Sequence, residues 1–374
     1  MFTFTSRLTA HGLIILRDAV EWTLNIRRLH MPQPSVLIPT SVIGSYAIPS
    51  WLWTGIDALK DDKYGPTDRR ELFDDAVQIA IRDQERAGID VITDGEMKRW
   101  YFVQGFYGRM SGLEEVGVLR KVGVYGYDSA PRYRPTSRVK ADRGLGIVEE
   151  FVYARSQTDR PLKATVPGPL TLTIHIQLHD EGIYKDRLEL AWEFADVINR
   201  ECKALVEAGA DFIQIDEPSY AIIPGGQENW IELFNACVQD VAAKIGLHVC
   251  FGNLGSRPRG RRDYGWMFPT LLDARCDQYS FEFANREMKE IEIWQSWGDD
   301  REFSAGIVDV KSFWVEPAEE IADRIRLLLR YVRPEKLWVT PDCGFFQLPR
   351  WLANQKMKRL VEGARIVRRE LTDS

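Results

Sequence analysis

What this chain lacks already excludes several classes of protein. Cysteine is scarce: five in 374 residues, at positions 202, 237, 250, 276 and 343. An odd, scattered set does not make a disulfide framework; it fits a reducing compartment where thiols pack or bind metal, and so a cytoplasmic protein. Long apolar runs are absent, none reaching the roughly 18 residues of a membrane span. Positive charge is not in excess either. Lys and Arg total 49 against 55 Asp and Glu, a net charge of −6 without a long basic tract, which argues against nucleic acid as a partner. Internal repeats and low-complexity tracts are missing too.

What is present points to a large packed core, with 45% hydrophobic and 28% charged residues. Short β-branched apolar segments alternate with longer helical patterns, the rhythm of βα units around a parallel sheet. Eight strands are expected, at 36–44, 91–94, 163–166, 212–215, 247–251, 278–281, 304–308 and 337–340. Between them, 71–87, 188–208 and 317–331 carry 3.6-residue spacing. Eight such units favour an α/β fold of the (β/α)8 TIM barrel type over the alternative, an open doubly wound sheet. The stretch 100–160 breaks the rhythm and reads as an insertion after strand 2, a hairpin with irregular loops. Residues 1–35 read as an N-terminal extension and 36–374 as one domain. Within the extension, the apolar run 12–16 between Arg7 and Arg17 lacks a small-residue cleavage signal. It fits a peripheral helix, or an over-long start with Met31 as the true beginning.

Notable polar residues collect just past the expected strand ends: Ser45, Glu96, Asp216, Glu282, Asp309 and Cys343. Barrel active sites are built at that rim. His248 and Cys250, two apart on a strand, share a face. One imidazole with the thiolates of Cys250 and Cys343 suits Zn2+, and a carboxylate such as Glu282 completes a four-coordinate shell. The competing reading is that these are buried packing residues. Zinc would hold a substrate thiol as its thiolate, and anionic sulfur ligands would leave that thiolate nucleophilic. The chemistry expected is alkyl transfer to sulfur.

The ordered motifs Ile43-Gly44-Ser45, Asp94-Gly95-Glu96, Val166-Pro167-Gly168-Pro169, Gln214-Ile215-Asp216-Glu217-Pro218, His248-Val249-Cys250 and Pro341-Asp342-Cys343-Gly344 resemble cobalamin-independent methionine synthase, over roughly 36–370 and in the order of that family's C-terminal catalytic barrel. The resemblance implies zinc ligands His248, Cys250, Glu282 and Cys343. It implies a homocysteine carboxylate held near Ile43 and Ser45 and its amino group met by Glu96 and Asp216. It places the catalytic Asp-x-His-Ser motif at Asp309-Val310-Lys311-Ser312.

Lysine 311 thus stands where the family has the histidine assigned to proton transfer, which puts methyltetrahydrofolate as donor in doubt. The chain also leaves no room for the family's second, folate-binding barrel, and the aromatics Tyr101, Phe102, Phe106 and Tyr107 could form a lid or simply pack. The leading expectation is a zinc-dependent methyltransferase that converts homocysteine to methionine with an unidentified methyl or alkyl donor. Alternatives are alkyl transfer to another small thiol, as in epoxide-opening coenzyme M transferases, with Lys98, Arg99, Arg286 and Lys311 as partners for a sulfonate, and a non-catalytic zinc-binding barrel. Oligomeric state stays open, a homo-oligomer included.

Overall fold

A computed structural model describes residues 36–99, 103–118, 131–178, 182–222, 227–253, 262–297 and 300–373. The expectations made for residues 1–35, and for Tyr101 and Phe102, lie outside the described residues. Two strands, β1 (Ser111–Val118) and β2 (Pro131–Lys140), pair antiparallel. Six more, β3 (Ala164–Pro167), β4 (Phe212–Asp216), β5 (Lys244–Val249), β6 (Gln278–Glu282), β7 (Glu302–Val308) and β8 (Leu337–Pro341), pair in parallel in chain order. Two extended segments complete the ring through isolated parallel bridges: Thr40 with Val339, Ser41 with Val91, and Ile92 with Leu162. Ser41 N donates to Val339 O at 3.0 Å, Val91 N to Thr40 O at 3.1 Å, and Lys163 N to Ile92 O at 2.9 Å. The fold is the expected (β/α)8 barrel.

Strand character follows from burial on both faces: every residue of Phe-Ile-Gln-Ile-Asp in β4 is buried, as in sheets covered by helices. The helix Pro66–Ala87 begins with proline at its first position, where the missing N–H costs nothing. Gly65 N donates to Asp68 at 2.9 Å, and Gly88 ends the helix at φ +87°, a conformation glycine adopts without strain. The helix Arg187–Glu207 is capped by Asp186, which accepts from Glu189 N at 2.8 Å.

Three boundaries differ from the sequence expectation. The first strand, expected over 36–44, shrinks to the paired residues Thr40 and Ser41. The fifth, expected over 247–251, runs over Lys244–Val249, so Cys250 is the first residue beyond it. Its charged start hides the strand from a hydrophobic pattern: the Lys244 ammonium lies 4.0 Å from the Trp338 ring and 4.7 Å from that of Phe212, and pairs with Glu302. The span 100–160 contains the expected hairpin, but also the helix Ile147–Ser156, which buries Ile147, Phe151 and Ala154. That helix is the barrel's own second helix; it is short, which weakens its periodic signal. Among the described residues, no helix is long and apolar enough to cross a membrane.

The seam between the first barrel strand and the last helix (Arg350–Thr372) is latched by Asp90. Its carboxylate accepts from Thr40 N at 2.8 Å, from Thr40 Oγ1 at 2.7 Å and from the Arg368 guanidinium. Arg368 also donates to Leu37 O and Ile38 O. Removing the carboxylate strands the Thr40 backbone N–H and leaves the Arg368 guanidinium without its counter-charge in a half-buried place. Asp90→Ala should therefore lose about 1–3 kcal/mol in urea unfolding; an unchanged midpoint would mean the latch is idle.

Candidate metal and substrate site

The parallel register of the barrel builds the site's floor. Asp216 pairs with His248 at adjacent strand ends, and Gln214 lies two residues earlier on the same face as Asp216. Asp216 Oδ1 takes hydrogen bonds from His248 Nδ1 and Gln214 Nε2, both 2.7 Å long. With its Nδ1 proton donated to a carboxylate, the imidazole keeps a lone pair on Nε2. That Nε2 is buried and has no hydrogen-bond partner. A buried nitrogen lone pair without a partner is costly in a barrel interior, and a metal ion answers it.

Two sulfurs face that nitrogen. Cys250 Sγ and Cys343 Sγ are 3.6 Å apart, and the ligand atoms of His248, Cys250 and Cys343 all lie within 4.8 Å of one another. Cys343 is pushed down to about 7, first by the hydrogen bond from the Cys250 thiol and further by the Lys311 ammonium. The same bond, with burial, pushes Cys250 well up. The metal-free pair therefore shares one proton near neutral pH. One nitrogen and two sulfurs, with an anionic thiolate already favoured, match the donor preference of zinc.

Glu282 stands outside this trio. Its Oε1 accepts from Lys311 Nζ at 2.7 Å and its Oε2 from Phe251 N at 3.2 Å, so its charge is neutralised by the lysine. Asp309 accepts from Lys311 N at 2.7 Å and from the Asn285 side chain at 3.2 Å. Neither Asp309 nor Lys311 lines the cavity above the sulfurs, whereas Ile43, Ser45, Glu96, Asp216, His248, Cys250 and Cys343 all do.

Glycines let the rim loops close. A Cβ on Gly344 would stand 1.9 Å from Ser45 Oγ, and one on Gly44 would stand 2.3 Å from Glu96 Oε1. Small residues are thus required for Ser45 to lie against the Cys343 loop and for Glu96 to lie over the Ile43 loop. Glu96 adopts φ +56°, an uncommon conformation for a residue with a side chain. It is held by Thr165 Oγ1, which donates to it at 2.8 Å, and faces Arg99 at 3.6 Å. Burial pushes Glu96 up to about 8 against the pull of Arg99. Glu217, beside Asp216, accepts from Leu170 N and Thr171 Oγ1 and so anchors the Pro-Gly-Pro turn.

Sequence reasoning missed cavity residues too. His175, on the turn after β3, lines the cavity with Asn253, Phe346 and Gln347. Its Nδ1 lies 3.2 Å from Arg132 Nη1; a guanidinium only donates, so that nitrogen accepts and the ring proton sits on Nε2. A histidine just beyond a strand-end Pro-Gly-Pro was the available signal. Phe106 and Tyr107 are buried packing residues, and Tyr107 donates to Leu172 O at 2.7 Å.

A parallel barrel that gathers an imidazole, two thiols and buried carboxylates around one cavity at its rim has the layout of an enzyme of that fold. The family described as cobalamin-independent synthase, catalytic domain, matches residues 38–366, and the chain belongs to that family. It is 37% identical over 336 residues to a methionine synthase of Sulfurisphaera tokodaii, covering 90% of this chain and 94% of that protein. A methionine synthase of Saccharolobus solfataricus is 38% identical over 338 residues, covering 90% and 96%. The solved B12-independent methionine synthase of Shewanella sp. W3-18-1, in complex with selenomethionine, superposes with a TM-score of 0.77 at 30% identity, covering 90% of this chain and all of that one.

In metal-free protein the thiolate signal in the ultraviolet should rise with pH through about 7, because the Cys343 thiol ionises there. Cys250→Ser replaces the thiol donor and should move that midpoint; Cys343→Ser should abolish it. A first ionisation at the ordinary cysteine value, near 8.5, would mean that the two thiols do not share a proton.

Proposed function

We propose that this protein is a cytoplasmic zinc-dependent methyltransferase that methylates homocysteine to methionine. The observation that carries the reading is the convergence of His248, Cys250 and Cys343 with Ser45, Glu96 and Asp216 on one cavity. Three protein ligands leave a coordination position for a fourth, as catalytic zinc sites do. Bound zinc supplies a Lewis acid that keeps a substrate thiol deprotonated at neutral pH.

The chain's own residues do the rest. Asp216 orients His248 through Nδ1 and, with Glu96, offers negative charge to the substrate ammonium. Ser45, beside Gly344, offers its hydroxyl to the substrate carboxylate. Buried Glu96 is protonated when the site is empty near neutral pH; an ammonium brought beside it restores its charge. Glu282 stays with Lys311, a reserve ligand rather than one of the three. Selenomethionine, the partner of the Shewanella relative, is methionine with selenium for sulfur, which supports a product of this shape.

A sulfonate thiol fits less well, because the cations that would receive it are spoken for. Lys98 pairs with Asp74 at 2.6 Å, Arg99 with Glu150 at 2.7 Å, Arg286 with Glu290, and Lys311 with Glu282 at 2.7 Å. The methyl donor is unnamed here. Lys311, tied to Glu282 and away from the cavity lining, is no ready substitute for the family's histidine in proton transfer to folate.

The test is the visible spectrum of the cobalt(II)-substituted protein, titrated with L-homocysteine and separately with 2-mercaptoethanesulfonate. A new sulfur-to-cobalt band with homocysteine alone is expected. A band only with the sulfonate would move the protein to the other thiol class, and no band with either would leave a closed, non-catalytic metal site. Glu96→Gln should raise the homocysteine KM by about tenfold or more, since it removes a buried charge partner of the ammonium, with bound zinc unchanged. The parent's KM should fall as pH rises toward about 8, where Glu96 ionises; the variant should lack that dependence.

A further inference from the structure

We propose that Lys163 is a positioning residue which, through Gln214, sets both the tautomer of the ligand His248 and the place of the substrate loop at Ile43. The proposal rests on the zinc reading above. Lys163 immediately precedes β3 and is 2% exposed, with its amine inside the ring of strands. Its Nζ donates to Val42 O at 2.8 Å and to Gln214 Oε1. Both acceptors are uncharged, an unusual setting for a buried lysine. Burial, opposed by Asp216 and Glu96 and aided by Lys244, brings its pKa down to about 7. An amine donates to two acceptors in either protonation state, so the direction of both bonds holds across neutral pH.

The consequence passes along a chain of hydrogen bonds. Since Lys163 donates to the Gln214 oxygen, the Gln214 amide cannot flip, and its Nε2 must face the other way. That Nε2 donates to Ile43 O at 2.9 Å and to Asp216 Oδ1 at 2.7 Å. Asp216 Oδ1 in turn takes the His248 Nδ1 proton at 2.7 Å. Lys163 and Gln214 also tie the backbone at Val42 and Ile43, directly before Gly44-Ser45. Without the lysine, the amide can turn its oxygen toward Asp216; two acceptors then face each other, the carboxylate turns away or takes up a proton, and its hold on the His248 Nδ1 proton weakens. Neither Lys163 nor Gln214 touches the sulfurs.

A double-mutant cycle tests this, with Lys163→Met, Gln214→Met and the pair together. Zinc affinity is read by competition with a chromophoric chelator, and the His248 tautomer by nitrogen-15 NMR of the metal-free protein. Outer partners of a metal-bound histidine are worth about 10–100-fold in metal affinity. Each single variant should lose that much, show a mixed His248 tautomer and raise the homocysteine KM, and the double variant should lose no more than either alone. Losses that multiply would mean two independent structural effects and overturn the proposal. So would wild-type zinc affinity and tautomer in the single variants. If Lys163→Met does not fold, Gln214→Met, which leaves the lysine in place, decides by the same two readings. Parent protein that fails to bind zinc overturns the zinc reading itself, a result distinct from variants that bind as tightly as the parent.

Discussion

The 2.7 Å hydrogen bond between His248 Nδ1 and Asp216 Oδ1 is the interaction on which the arrangement of the rim depends. It exists because β4 and β5 pair in parallel with Asp216 opposite His248, so strand register, rather than any loop, brings the two side chains together. Once that bond forms, the histidine has one free lone pair and one direction for it. Cys250, one residue past the strand, and Cys343, just past β8, supply sulfur on that side. Below, Gln214 and Lys163 complete the acceptor and donor sequence that ends on Asp216.

Around this rigid floor the site is completed by close backbone approaches. Gly344 and Gly44 have no side chain because Ser45 and Glu96 occupy the space. Asp342 binds the turn after β6 by accepting from Phe283 N, Ala284 N and Asn285 N. On the neighbouring loop, buried Glu316 accepts from Asp309 N at 2.8 Å and pairs with buried Lys356 at 2.8 Å. Such devices place the loops without a large apolar core of their own, and that leaves the cavity lined by groups able to meet a zwitterionic substrate.

Much of this was legible in the residue order. The barrel followed from eight alternating units, because a strand buried on both faces leaves a short apolar run and a covering helix leaves a 3.6-residue period. His248, Cys250 and Cys343 were picked out by residue type at expected strand ends, and the structure brings their ligand atoms together. The start of β5 was missed because half-buried Lys244 lies against aromatic rings, so its charge misreports its location. The helix Ile147–Ser156 was absorbed into the insertion for want of length. His175 escaped because its place beyond the Pro-Gly-Pro turn, the one local signal, does not say which way the ring faces.

By itself, the sequence determined the class of fold, the donor atoms available and their order along the chain, since these depend on local periodicity and on which side chains exist. The tertiary structure alone decided which partner each donor and acceptor takes. Lys311 is 29 residues from Glu282 in the chain, yet it is the lysine that holds that carboxylate, while one nitrogen and two sulfurs gather beside it. Asp216, a substrate-binding candidate by its place in a motif, also holds His248, 32 residues away. Hydrogen bonds and ion pairs act over about 3 Å, so competition for a buried group is won by proximity in space, and closure of the barrel creates that proximity.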